Sequence, residues 1–350
     1  MSPFFKHFGG KVTPELKQRY SQSDHWIKGS FKNLERTTLG ANMRDIPKMI
    51  YKQLRNTKGR FPERSLPVHS FDKTAFLDAS PKSKFIWYGH SVLLMQMEGK
   101  TLVIDPMLGP DTTPIAPMAS KRFSEGTLDL IDDFPTIDLM LITHDHYDHL
   151  DFASIQKLKQ KTKKYYVALG VKRHLVYWGV DPNLITEFDW WEAKEFENIK
   201  ITFTPSRHFS GRGLRDRAMT LWGGWIFQTP TEKIWFSGDG GYGKHFEEIG
   251  RREGPFDLAF MECGQYNHDW FDIHMFPEDS VQAALDGGAK KAIPVHWGGF
   301  NLSYQHTWSE PPAQFVEAAA SNNISIHLPE IGQIFDTNSD QNRYWWEDFK

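Results

Sequence analysis

Cysteine is nearly absent from this chain. A single one, Cys263, stands among 350 residues, so no intramolecular disulfide can form, and a reducing compartment is the natural setting. Long apolar runs are missing too: nothing in the sequence approaches the roughly 20 residues that span a bilayer as a helix. The opening residues Met1–His7 carry no extended apolar stretch, which argues against a secretory leader. Short-period repeats and low-complexity tracts are also lacking. These absences exclude a disulfide-stapled secreted scaffold, a helical membrane protein and a solenoid, and the expectation is a soluble, cytoplasmic protein. Net charge is small, at −3, but unevenly spread. Residues 1–80 hold 15 Lys/Arg against 7 Asp/Glu, a balance of +8, which leaves −11 for the remainder. A basic leader of this kind reads as a solvated arm over an acidic body, with peripheral contact to anionic lipid as the alternative.

What the chain does have is material for a core. Apolar residues make up 39% and aromatics 14%, with 13 tryptophans, enough for one large domain. Periodicity is weak over residues 1–80, where only Asn42–Gln53 shows helical spacing, through Met43, Ile46, Met49 and Ile50. That segment is taken as a basic N-terminal extension packed on or over a body formed by residues 81–350. From Lys84 the character changes. Phe85–Tyr88, Val92–Met97 and Thr101–Ile104 read as strands, with Glu98-Gly99-Lys100 as a hairpin turn. Further strands are expected at Ile137–Thr143, Tyr165–Leu169, Ile199–Thr204, Met219–Gln228, Lys233–Phe236, Phe256–Met261, Ala292–Val295, Ile324–Leu328 and Ile331–Phe335. Helices are expected at Phe152–Lys161, Val171–Trp178, Pro277–Leu285 and Pro312–Ala320. Strand hairpins with intervening helices suit an α/β fold, an αββα sandwich of two mixed sheets flanked by helices.

The most informative stretch is His144-Asp145-His146-Tyr147-Asp148-His149, directly after the apolar run ending at Thr143. In extended backbone alternate side chains share a face, so His144 and His146 point one way and Asp145 and Tyr147 the other. Three imidazoles and a carboxylate this close suit a divalent transition metal, and there are enough of them to serve two ions. A polar loop that happens to be rich in histidine would not also need a strand before it and a helix after it. His144-x-His146-x-Asp148-His149 resembles the signature of the metallo-β-lactamase superfamily of metal-dependent hydrolases. Three more candidates each follow an apolar run: His208, Asp239 and His296. Each alone is an ordinary strand-end residue; their order matches the later ligands of that superfamily. The resemblance then implies that His144, His146 and His208 hold one ion, that Asp148, His149 and His296 hold a second, and that Asp239 bridges them. Two divalent ions are expected, zinc by default, with manganese and iron as alternatives.

A narrower resemblance runs from Trp87 to Phe335. Trp87-Tyr88-Gly89-His90-Ser91, Ile104-Asp105-Pro106, His208-Phe209-Ser210-Gly211-Arg212, Thr220-Leu221-Trp222-Gly223-Gly224-Trp225, Gly238-Asp239-Gly240-Gly241-Tyr242 and His296-Trp297-Gly298 are similar to the branch containing N-acylphosphatidylethanolamine phospholipase D. Many members carry tryptophan where this chain has Phe209. His274 resembles a histidine of that branch that lies near the metals without ligating them, where it would hold a phosphate oxygen or protonate a leaving group; a helix-entry histidine satisfied by backbone is the plain alternative. His90 is expected to orient a ligand. Arg212 is a candidate for meeting an anionic substrate group, set against an ordinary surface ion pair. Glu262, Tyr266 and His268 are candidates to line the pocket, whereas Cys263 is expected to be a packed small residue.

The expected activity is that of a metal-dependent hydrolase, a phosphodiesterase of phospholipase D type acting on a small-molecule or phospholipid substrate, with Asp148, Asp239 and His274 at the chemistry. Lactone or other ester hydrolysis on a small substrate, phosphorylated or not, is the rival at the same site. A membrane- or partner-binding protein with a vestigial site would have lost ligands, and all seven are present. No nucleic-acid partner is expected, because the stretch from Asp239 to His296 leaves no room for the inserted domain of the superfamily's RNA-processing branch.

Overall fold

The computed structural model describes residues 3–38, 51, 58–113, 120–213, 215–302 and 306–350. The helix expected over Asn42–Gln53 lies outside these residues, apart from Tyr51. A short hairpin, β1 (Trp26–Ile27) and β2 (Ser30–Phe31), precedes two seven-stranded sheets. The first sheet contains β3 (Lys84–Trp87), β4 (Leu93–Met97), β5 (Lys100–Ile104), β6 (Leu139–Ile142), β7 (Tyr165–Ala168) and β8 (Ile185–Phe188). The second contains β9 (Ala193–Phe196), β10 (Ile199–Thr204), β11 (Gly224–Gln228), β12 (Lys233–Phe236), β13 (Leu258–Glu262), β14 (Lys291–Val295) and β15 (Ser325–Ile326). The last strand, β16 (Ile334–Asp336), returns to the first sheet beside β3, giving the orders β16-β3-β4-β5-β6-β7-β8 and β15-β14-β13-β12-β11-β10-β9.

The sheets pack face to face because their inner residues are large and apolar. Phe85 of the first sheet meets Phe260 of the second with ring centroids 5.4 Å apart, and Phe188 meets Trp225 at 5.3 Å. Helix Phe152–Leu158 adds Ile155 and Leu158 to the core from outside the first sheet. Helices His245–Glu253, Pro277–Asp286 and Glu310–Ser321 cover the second, burying Phe246, Val281 and Phe315 against Trp235, Ala259 and Met261. These layers are the expected αββα sandwich.

Strand direction determines where chemistry can sit. In the first sheet β3 and β5 are each antiparallel to β4, and β6 runs parallel to β5. In the second, β10 and β12 are each antiparallel to β11, while β13 and β14 run parallel to β12. So β3, β5 and β6 share one direction, as do β10, β12, β13 and β14. Their C-terminal ends lead into His90, Asp105, His144, His208, Asp239, Glu262 and His296, and the sheets hold these loop starts still. The two sheets are stapled at this edge by backbone bonds: the His90 N–H donates to the Trp297 carbonyl at 2.7 Å and the His296 N–H to the His90 carbonyl at 2.9 Å.

The structure departs from these expectations in several places. The strand expected over Met219–Gln228 begins only at Gly224, because the preceding residues pair elsewhere: the Leu221 N–H donates to the Leu169 carbonyl and Ser210 Oγ to the Thr220 carbonyl. Strands β8 and β9 were not expected. Both lie at sheet edges, and each carries exposed or half-buried polar residues that blur alternation. Helix His245–Glu253 was also missed; it is rich in charge and buries only His245, Phe246 and Ile249.

Burial of His245 has a consequence in acid. Its imidazole is pushed down to about 3, first by burial and then by the charge of Arg207. A neutral buried histidine binds fewer protons than the unfolded chain below the unfolded value of about 6.5. Stability is therefore lost as pH falls from about 6.5 toward 3. In urea titrations His245→Gln should flatten the decline between pH 7 and 5 by about 1–2 kcal/mol; parallel declines in both proteins would assign the acid sensitivity elsewhere.

Candidate metal centre

The seven residues anticipated as ligands converge at the seam between the sheets. His144 Nε2 lies 2.9 Å from His146 Nδ1, and His208 Nε2 lies 3.2 Å from the same atom. On the other side His149 Nε2 and His296 Nε2 are 3.2 Å apart. Asp239 Oδ2 stands between the groups, 2.9 Å from both His149 Nε2 and His296 Nε2 and 3.9 Å from both His144 Nε2 and His208 Nε2. Asp148 Oδ2 is 3.9 Å from His149 Nε2 and 3.8 Å from His296 Nε2. The arrangement divides into the triad His144, His146 and His208, the set Asp148, His149 and His296 with His90 beside it, and Asp239 shared between them.

The donor chemistry fits cations. His208 Nδ1 faces the Ile273 carbonyl at 3.0 Å, which can only accept, so the proton sits on Nδ1 and the Nε2 lone pair faces the cluster. His149 Nδ1 donates to Asp105 Oδ2 at 2.8 Å, which turns its Nε2 toward the cluster. The Thr143 hydroxyl donates to Asp105 Oδ2 at 2.6 Å and can therefore accept from His144 Nδ1 at 2.9 Å. Three Nε2 atoms thus point inward, where a cation can take their lone pairs. At two of these histidines the charge states agree with the geometry, while at His149 burial is outweighed by Asp239, Asp148 and Asp105, which raise its pKa well above the ordinary value, so a cation entering there displaces a proton. Burial and neighbouring imidazoles hold His144 and His208 well below the ordinary histidine value, so they are neutral. Burial alone would raise Asp239 and Asp148. The surrounding histidines outweigh it and hold both carboxylates well below the usual range. Neutral imidazole with ionised carboxylate is the state that metal binding requires.

Behind the ligands stands a layer that the motif did not reveal. Asp105 is fully buried and accepts the Thr143 N–H at 2.8 Å as well as the two bonds above. One carboxylate thereby orients two histidines. Burial pushes its own carboxyl upward against those bonds. Glu262 accepts from the Gly264 N–H at 2.9 Å and from the Met275 N–H at 2.9 Å, and its Oε1 lies 3.1 Å from His274 Nδ1. Gly264 has no alternative here: a Cβ would come within 2.2 Å of His296 Nδ1. Backbone strain collects in the same place. His90, Asp105 and His296 hold φ of 55°, 40° and 70°, conformations that non-glycine residues keep only when their surroundings enforce them. Both Asp105 and His90 lay in motifs recognisable by resemblance, but a sequence alone gives no sign of which atoms they touch.

The remaining candidates divide. His274 lines a cleft of about 270 Å³ above the cluster, together with His146, Asp148, His208, Asp239, Phe209, Gln265, Trp270, Ile273 and Leu302. Burial would lower its pKa, but the Glu262 carboxylate, followed by Asp239 and Asp148, raises it. His90 Nε2 contacts Asp148 Oδ2 at 3.0 Å, and its ring packs 4.0 Å from that of His296. Arg212 corrects both readings made for it. It is buried and meets neither substrate space nor a surface partner. Its guanidinium donates to the carbonyls of His7 at 2.8 Å, Asp145 at 2.8 Å and Leu150 at 2.7 Å, bracing the loop that carries four ligands. Tyr266 and His268 are not among the cleft-lining residues. The Tyr266 hydroxyl is engaged by Glu310 at 2.6 Å and Gln314 at 2.7 Å, while exposed His268 packs on Phe276. Cys263 is buried, as expected, and burial pushes its thiol up.

Asp105→Asn should weaken metal retention by roughly 10- to 100-fold, since it removes the acceptor that orients a ligating histidine. Competition with a chromophoric chelator measures this directly, and wild-type retention in the variant would deny Asp105 that part.

A profile of the β-lactamase superfamily domain matches residues 100–297, the span from β5 to just past His296. A protein of Mycobacterium tuberculosis described as uncharacterized is 34% identical over 344 residues, 96% of this chain and 91% of its own. The N-acyl-phosphatidylethanolamine-hydrolyzing phospholipase D 1 of Caenorhabditis elegans is 31% identical over 292 residues, 79% of this chain and 82% of that protein. Among solved structures, Igni18, a metallo hydrolase from Ignicoccus hospitalis, superposes with a TM-score of 0.55 at 19% identity, covering 73% of this chain and 97% of that one. That likeness speaks for the fold, while the profile and the sequence relatives speak for descent. The chain belongs to the metallo-β-lactamase superfamily of hydrolases.

Proposed function

We propose that the protein is a dinuclear metal-dependent phosphodiesterase of the phospholipase D kind, acting on an N-acylphosphatidylethanolamine-like phospholipid or a related phosphodiester. The observation that carries this reading is the placement of His274. It lines the same cleft as Asp239 and His208, with ligand atoms of the three within 4.8 Å of one another, and is backed by the Glu262 carboxylate at 3.1 Å, in a chain 31% identical to a phospholipase that hydrolyses N-acyl-phosphatidylethanolamine. The seven residues would hold divalent ions, which would supply an activated water and neutralise charge that develops on phosphorus. Zinc is the proposed ion, and iron and manganese suit the same donors. Among the described residues no helix is long and apolar enough to cross a membrane.

The chain's own residues do the rest. Glu262 accepts the Nδ1 proton of His274 and leaves Nε2 for the cleft. The raised pKa keeps more of the ring protonated near neutrality. In that state Nε2–H can hold a phosphate oxygen or hand its proton to the departing alkoxide. Asp239 and Asp148 stay anionic and would hold the positive charge that an anionic phosphodiester requires beneath it. Phe209, Trp270, Ile273 and Leu302 give the cleft apolar walls, against which the carbon chain next to the scissile ester can lie. One observation favours hydrolysis of a small lactone or ester instead: about 270 Å³ is below the roughly 300 Å³ at which drug-sized pockets begin.

Purified protein should contain two divalent ions by elemental analysis. His208→Ala should deplete one of them and Asp239→Asn should weaken both. Full occupancy in Asp239→Asn would remove its shared role. Turnover of bis(p-nitrophenyl) phosphate against a panel of lactones separates the two chemistries. His274→Ala should lower kcat roughly a hundredfold on a phosphodiester with a poor leaving group and little on a p-nitrophenyl ester, whose leaving group needs no proton. Equal losses on both would mean that His274 serves binding or structure.

A further inference from the structure

We infer that the segment Asn33–Thr38, far from the ligand motifs in sequence, is a positioning element of the metal centre, and that Asn33 holds the ligand His208 in place. The inference rests on the dinuclear reading above and names a residue that sets the affinity of one of its two ion sites.

Asn33 clasps both backbone groups of His208. Its Nδ2 donates to the His208 carbonyl at 2.8 Å, and its Oδ1 accepts the His208 N–H at 3.1 Å. The same Oδ1 accepts from Trp222 Nε1 at 2.9 Å, and Trp222 is itself almost wholly buried. A side-chain amide thus pairs with the His208 peptide groups as a neighbouring strand would, from 175 residues away. Strand β10 ends at Thr204, so at His208 the ladder no longer holds the backbone, and Asn33 supplies the missing pairing.

The segment continues onto the neighbouring loops. The Arg36 carbonyl accepts from Arg207 Nη2 at 2.8 Å, and Arg207 Nη2 pairs with Asp272 Oδ1 at 2.6 Å. Thr38 donates to Asp272 Oδ2 through both its N–H and its hydroxyl, each at 2.8 Å. Asp272 lies next to Ile273, whose carbonyl fixes the tautomer of His208. Glu35 accepts the Lys244 N–H at 2.8 Å, in the loop that follows Asp239. Three loops carrying His208, Asp239 and His274 are therefore tied together by six consecutive residues. None of these contacts reaches the cluster itself. The segment acts on the ions only through the backbone it holds, which makes Asn33 a positioning residue rather than a ligand.

The test is a double-mutant cycle on full-length, metal-loaded protein, with zinc affinities read by chelator competition. Two ions in the wild type uphold the dinuclear reading, and fewer would sink that reading before any variant is compared. Asn33→Ala should weaken one of the two ions by roughly tenfold or more and leave the other and the melting temperature near wild type. In a His208→Ala background, where that ion's site is already broken, Asn33→Ala should change the remaining affinity no further. Wild-type affinities in Asn33→Ala, equal weakening of both ions, or an additive loss in the double variant would each overturn the inference, the last two by showing that Asn33 supports the fold at large. If Asn33→Ala does not fold, Asn33→Asp is read by the same ratios, since it keeps the acceptor for the His208 and Trp222 N–H groups while the donor to the His208 carbonyl is replaced by an anionic oxygen.

Discussion

The structure is organised around a crowd of buried polar groups. Histidine ring nitrogens and ionised carboxylates face one another across about 3 Å at the seam of the two sheets, and burying so many together is costly unless they are paired or hold a cation. Holding it together takes rigidity from outside the cluster. The sheets supply it by sending seven strands toward one edge, and the backbone bonds between His90, His296 and Trp297 lock the two edges together. The strained φ values of His90, Asp105 and His296 fall at the same spot, where the surrounding structure is strong enough to enforce them.

Orientation of the candidate ligands is then delegated to acceptors that stand outside the cluster. Asp105 serves His149 directly and His144 through Thr143, while the Ile273 carbonyl serves His208. Arg212 and Asn33 do the same for backbone, one beneath the loop of residues 145–150 and the other around His208. The two helpers use opposite chemistry. A buried guanidinium has only donors and collects carbonyls, whereas an amide has both and can pair with a peptide as another peptide would. An arginine that looks like an anion hook in a sequence is here consumed by its own loop. His274 differs from all of these, because its partner Glu262 leaves one ring nitrogen facing the cleft, so the ring is oriented without being used up.

The sequence alone determined the fold class and which histidines and aspartates would converge. Apolar runs of strand length ending in histidine or aspartate survive any packing arrangement, and the spacing of His144, His146, Asp148 and His149 is a local property of extended chain turning into helix. Edge strands β8 and β9 were illegible because half of their surface faces water and their composition follows the solvent. The outer layer was decided by tertiary structure. Nothing local distinguishes Asp105 from other aspartates at strand ends, Arg212 from an exposed arginine, or Tyr266 from a pocket wall, because what each one does depends on partners brought up by topology. Asn33 is the plainest case: its hydrogen bonds span 175 residues, and a contact of that range exists only once both sheets have closed.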